Sequence, residues 1–149
     1  MKNYFLSLFC FLILLEGCGT LGSFKVINFS VNKQPLSLAI DSIYKNYPYY
    51  KIPEKWKKFD TWAERGYDFL DSRIFYFKDS PEEMYYVTFR GDKTTSANGP
   101  ISIAIRAVSK GKGKWLMQDD FSEKEIERIE SRFEAEILSK IKYTYFKSD

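Results

Sequence analysis

The sequence predicts an α+β domain: an N-terminal strand and helix packed on an antiparallel four-stranded meander, with an amphipathic helix at the C-terminus. Three observations carry that reading. Between Arg73 and Gln118 apolar residues recur at alternate positions in four short runs, separated by Gly, Pro, Asp and Ser. From Ser122 onward the period becomes helical, with Ile126, Ile129, Phe133, Ile137 and Ile141 on one stripe. The chain also carries 13 Phe, 11 Tyr and 3 Trp in 149 residues, enough apolar bulk to build a core without disulfides.

Each element has its own signal. Phe24 to Val31 alternates and reads as a strand, with Ile27, Phe29 and Val31 on one side. Pro35 then fits the first turn of a helix, where a missing N–H costs nothing. Leu36, Ile40, Ile43, Tyr44 and Tyr47 follow at helical spacing, and Pro48 ends that helix. Residues 48–61 are irregular and aromatic, and read as a loop pinned to the domain. Thr61-Trp62-Ala63-Glu64 has the spacing of a capping box, although Gly66 weakens any helix there.

The four strands are expected over Arg73–Lys78, Met84–Arg90, Ile101–Ser109 and Lys114–Gln118. In the third, Ile101, Ile103, Ile105 and Ala107 point one way and Ser102, Ala104 and Arg106 the other. That predicts one buried face and one nearer solvent. Ser122-Glu123-Lys124-Glu125 is a capping box for the last helix, and Asp119-Asp120 is expected to help start it. Glu130 and Glu134 are a like-charge pair four residues apart on its polar side, which is most simply a solvated face.

The N-terminus has a different character. Lys2 is followed by a run from Tyr4 to Leu15 that is apolar or aromatic except for Ser7. That length suits the apolar segment of a signal peptide and falls short of the ~20 residues a spanning helix needs. Leu15-Glu16-Gly17-Cys18 resembles the lipobox of bacterial lipoproteins at Leu15, Gly17 and Cys18; Glu16 departs from the usual uncharged residue. The resemblance implies a signal peptide at 1–17, lipidation of Cys18, a lipidated tether at 18–23 and one domain at 24–149. It also implies a cell-envelope protein held to a membrane by acyl chains, and Gly19 after the cysteine favours the outer membrane of a Gram-negative cell. A plain secretory signal or an uncleaved anchor are the alternatives. The cysteine arithmetic agrees, because Cys10 would leave with the signal and Cys18 would have no disulfide partner.

Composition excludes several function classes. There is no His, which removes the usual general base and the commonest metal ligand. No catalytic residue, metal site or cofactor is predicted, because a zinc site would have to be built from carboxylates. The net charge of +3 is too weak for nucleic-acid binding, and it is unchanged when Lys2 and Glu16 are removed together. Gly17-Cys18-Gly19-Thr20-Leu21-Gly22 spells a dinucleotide motif but follows no strand and opens no helix. Ser-x-x-Lys pairs at Ser30, Ser42, Ser109 and Ser139 lack the further motifs of penicillin-recognising enzymes.

What remains is a membrane-anchored, non-enzymatic binding or structural module with an envelope protein or cell-wall component as partner. Its candidate contact residues are Tyr49, Tyr50, Trp56 and Trp62, since Tyr and Trp favour interfaces; the competing reading is that they cap the domain's own core. The alternative function is a small-ligand-binding or hydrolase-like domain. It would use a cone between the sheet and the first helix, with Asp41, Asp68 or Asp71 converging there.

Overall fold

The computed structural model describes residues 22–90 and 99–146. The expected signal, Cys18, most of the tether and most of the polar loop 91–100 lie outside them. The described chain is α+β. Strand β1 (Val26–Phe29) leads into helix α1 (Lys33–Asn46), then a 3-10 turn Pro48–Tyr50 and a single helical turn, α2 (Glu54–Lys57). Strands β2 (Ser72–Phe77), β3 (Glu83–Arg90), β4 (Ile101–Ser109) and β5 (Trp115–Leu116) follow. The C-terminal helix comprises α3 (Glu123–Phe133), a wider π-type turn (Glu134–Leu138) and α4 (Ser139–Phe146).

All strand pairs are antiparallel, in the order β1-β4-β3-β2, with β5 also paired to β4. The meander β2–β5 is therefore present as expected. Strand β1 uses the first half of β4, Ile101–Ala104, while β5 uses Val108 and Ser109 at its far end. Both therefore lie along the same edge of β4, since β3 occupies the other.

Local chemistry accounts for the element ends. Asn32 caps α1 by accepting from the Gln34 N–H at 3.2 Å, and Pro35 sits in the first turn. Ser122 caps α3 by accepting from the Glu125 N–H at 3.4 Å. Asp120 does not start that helix. Its carboxylate accepts from the Met117 N–H at 2.8 Å and closes the preceding 3-10 turn, Gln118–Asp120. Nor does Thr61 cap a helix: Ala63–Tyr67 is one π-type turn without a side-chain cap, broken where Gly66 takes φ +83°.

Alternation in β4 holds to Ile105 and then fails. Val87 pairs with Ile105 but Tyr86 pairs with Ala107, so Arg106 is an extra residue. This β-bulge reverses the faces beyond it. Ile101, Ile103, Ile105 and Val108 join the helix-side core, whereas Ala107 joins the cluster on the opposite face. Ala107 thus points away from Ile105, contrary to the simple period.

The second correction concerns solvent. Both faces of the sheet are covered. On one face α1 and the C-terminal helix bury Leu36, Ile40, Ile43, Ile129, Phe133, Ile137 and Ile141 against Phe75, Tyr85, Val87 and Ile103. On the other, the irregular stretch lays Trp56 and Trp62 over Tyr76, Met84, Tyr86, Ala107 and Trp115. Trp62 stacks on Tyr86 with centroids 3.9 Å apart and planes at 10°. The Trp115 Nε1–H donates to the Phe59 carbonyl at 2.7 Å, tying this cover to β5. Aromatic burial of this kind supplies about 3–5 kcal/mol per large side chain when judged by truncation. It therefore holds a segment that has almost no regular structure of its own.

Candidate functional site

Of the four aromatics expected to form a contact surface, three are internal. Tyr50, Trp56 and Trp62 are 3%, 5% and 3% exposed, and only Tyr49 is open, at 55%. Trp56 and Trp62 belong to the second-face cluster and Tyr50 to the helix-side core, so the four form no surface. Trp56 and Trp62 serve as cover: the sheet's second face is apolar and needs it.

The expected cone between sheet and first helix is filled. Leu36, Ala39, Ile40 and Ile43 are buried in one continuous core with Phe75, Val87 and Ile103. Asp71 and Asp41 do converge, but on a cation and outside that interior. Arg73 Nη1 lies 2.8 Å from Asp71 and its Nε 3.8 Å from Asp41, while Lys33 Nζ lies 2.6 Å from Asp71. The Arg73 Nη2–H donates to Ser37 Oγ at 2.9 Å. This network neutralises both carboxylates and joins α1 to β2; among the described residues no ion pair brings Asp68 to them. Among the described residues no three of His, Cys, Asp and Glu are grouped to hold a metal.

The concave site is elsewhere. A groove of about 790 Å³ runs between β1 and the C-terminal helix. Its strand wall is the continuous segment Lys25–Val31, with Ile105 at its base. Its helix wall is Glu130, Phe133, Glu134, Leu138 and Lys142. Residues 130, 134, 138 and 142 recur every fourth position and form one stripe beside the core stripe Ile129, Phe133, Ile137 and Ile141. The interior is apolar, from Ile27, Phe29, Phe133 and Leu138, and charges sit at the rim.

One rim charge is engaged with the strand. Glu130 Oε1 accepts from the backbone N–H of Lys25 at 2.7 Å. The solvated face expected of Glu130 and Glu134 holds for Glu134, which is exposed, whereas Glu130 is half-buried. The signal that points to a partner for Glu130 is the like charge at helical spacing, a local cost that asks for some compensating contact. Here the compensation is an unpaired strand N–H.

A second ionic cluster holds the sheet to the same helix. Glu83 is fully buried at the start of β3. Arg128 grips it with both terminal nitrogens, at 2.7 and 3.0 Å. The Tyr85 hydroxyl donates to it at 3.1 Å, and Arg132 lies 3.6 Å away. The hydrogen bond to Glu83 is the main cause that holds the Arg128 pKa above its ordinary value. Arg132 also donates to the carbonyls of Asp79 and Pro81 at 3.1 and 2.6 Å. The cluster fixes the C-terminal helix on the sheet and hence the width of the groove. Nothing in it resembles a nucleophile poised for chemistry.

Comparison with known protein families, curated proteins and solved structures gives no match for this chain. The site is therefore read from its own geometry. No described helix is long and apolar enough to cross a membrane.

Proposed function

We propose that this chain is a lipid-anchored envelope protein whose folded domain is a non-enzymatic binding module, with its ligand in the groove between β1 and the C-terminal helix. The observation that carries the binding role is the groove itself. Its volume of about 790 Å³ falls within the ~300–1,000 Å³ range of ligand sites, and its walls are apolar with a few polar groups at defined positions. The anchor rests on Leu15, Gly17 and Cys18 behind the apolar run from Tyr4. Acyl chains on Cys18 would each contribute roughly 0.8 kcal/mol per buried methylene, enough for stable attachment with more than one chain.

Anchor and groove are compatible in reach. Lys25 follows Cys18 by seven residues, so the groove would open at most about 25 Å of chain from the lipid. A partner in the envelope, either protein or cell wall, would be met within that radius.

Intact mass and detergent partitioning of the chain expressed in a bacterium test the anchor. A mature mass beginning at Cys18 plus acyl groups, and loss of both acylation and detergent partitioning in Cys18→Ala, is the expected result. An unacylated product cut elsewhere, or an intact N-terminus, would overturn it.

A further inference from the structure

We infer that the groove seats one acyl chain of this molecule's own Cys18, folded back along β1. This rests on the anchor and on the groove being the binding site, and it names the site's occupant. The floor of the groove is built of side chains. Ile101 donates its N–H to the Val31 carbonyl and Ile105 accepts from the Phe24 N–H, both at 3.1 Å, so both bond toward β1. Ile27 and Phe29 stand in register with Ile103 and Ile101, and their peptide groups serve the sheet. What they offer the groove is two apolar side chains, partly buried against the helix-side core. Phe133 and Leu138 line the helix wall. Such a lining gives dispersion contact and asks for no hydrogen bond, which is the complement of a hydrocarbon chain.

Length and charge both fit. The helix wall from Glu130 to Lys142 spans about 18 Å. An acyl chain reaches half-way across a hydrocarbon core of ~30 Å, which is about 15 Å. The rim sets Lys25 and Lys142 against Glu130 and Glu134, so it favours neither an anionic nor a cationic head group. At the Lys25 end the Glu130 carboxylate accepts the strand N–H at 2.7 Å. A free fatty acid entering there would bring carboxylate to carboxylate. An acyl chain joined to the protein through an ester or amide carries no charge and meets no such repulsion.

The tether delivers the chain to that end. The described residues begin at Gly22, three before the first wall residue, Lys25. Cys18 stands four residues earlier, at most about 14 Å of chain from Gly22. Gly19 and Gly22 accept the backbone angles that a reversal needs. A chain on so short a tether meets the groove at an effective concentration on the order of millimolar. Leaving the bilayer costs it little, because one apolar surrounding replaces another. The gain is the groove's own surface, since Ile27 and Phe29 would otherwise meet water. Acyl chains that stay in the bilayer hold the protein there, with the domain drawn down to the membrane.

The test expresses the full chain in a bacterium fed a fatty acid that carries a photoreactive diazirine near its methyl end. Isolated membranes are irradiated, and tryptic peptides of the monomer are mapped by mass. Expected is a cross-link within one chain, from the acylated Cys18 peptide to the peptide of residues 26–33 or that of residues 133–140, lost in Cys18→Ala. If the groove peptides carry only phospholipid adducts, equally in Cys18→Ala, the groove remains a binding site and its assignment to the chain's own lipid is overturned. If Cys18 is acylated but its chains cross-link only to bilayer lipids, the inference falls and the anchor stands. If intact mass shows no acyl group on Cys18, the anchor falls and the inference with it.

Discussion

Glu83→Gln removes one charge from the most deeply placed ionic cluster in the structure. The volume is nearly unchanged, so the effect is electrostatic. Glu83 is fully buried and receives two Arg128 nitrogens at 2.7 and 3.0 Å, with Arg132 at 3.6 Å. Removing one partner of a buried ion pair costs about 3–5 kcal/mol, because the other is left uncompensated. Here the lower end applies. The Arg128 side chain is about one-third exposed (34%) and can rehydrate. Arg132 keeps the Asp79 and Pro81 carbonyls and the Glu136 carboxylate at 2.9 Å. We expect a loss of about 3 kcal/mol, which for a chain of this size lowers Tm by roughly 12 °C. Equilibrium urea unfolding with matched m-values is the assay. The loss should hardly change with added salt, since Glu83 is out of reach of counterions. A loss below about 1 kcal/mol would refute the reasoning and leave Glu83 a passenger of the fold.

Other outcomes follow from the same geometry. Tyr44, Tyr50, Tyr85 and Tyr86 all have raised pKa values, chiefly through burial, and Tyr76 is pushed up to about 12. The folded state thus keeps phenol protons that the unfolded chain releases near pH 10, so stability is intact below pH 10 and falls as pH rises above it. Tyrosinate absorbance and circular dichroism should change together in one alkaline transition; gradual ionisation near pH 10 with an unchanged fold would contradict the burial. At Gly111, φ is +75° and an added Cβ would lie 2.7 Å from two Trp56 ring atoms. Gly111→Ala should therefore cost about 2–3 kcal/mol, against about 1 kcal/mol for Gly66→Ala, where φ is +83° but the space is open. Equal losses in thermal unfolding would mean that Trp56 yields.

The elements that sequence located well are those whose own pattern is strong. Ile101–Ser109 matches β4 end to end, and the stripe from Ile126 to Ile141 lies in the core. The bulge at Arg106 was invisible, because an extra residue shows only against its partner strand. The second face was misread for a related reason. Trp56 and Trp62 plug the sheet from a segment with no repeating period, so their burial left no pattern to read. The groove was hidden differently: its strand wall was legible as a strand, but nothing local says that β1 would be an edge. That follows from a crossover in which β1 pairs with β4, distant in sequence. Asp41 and Asp71 were expected to converge in a pocket; instead both lie against Arg73, outside the filled interior, in a contact that spacing in the sequence does not show.

The helix beside β1 has a consequence for self-association. A bare strand edge on a lipid-anchored protein would be hazardous, because tethering raises local concentration and one open edge finds another. Here Glu130 occupies the first outward N–H, and the charged stripe through Glu134 and Lys142 stands over the rest. In polymer terms the β1 edge is a capped end: the helix that stands beside it limits the growth of the sheet by a second copy.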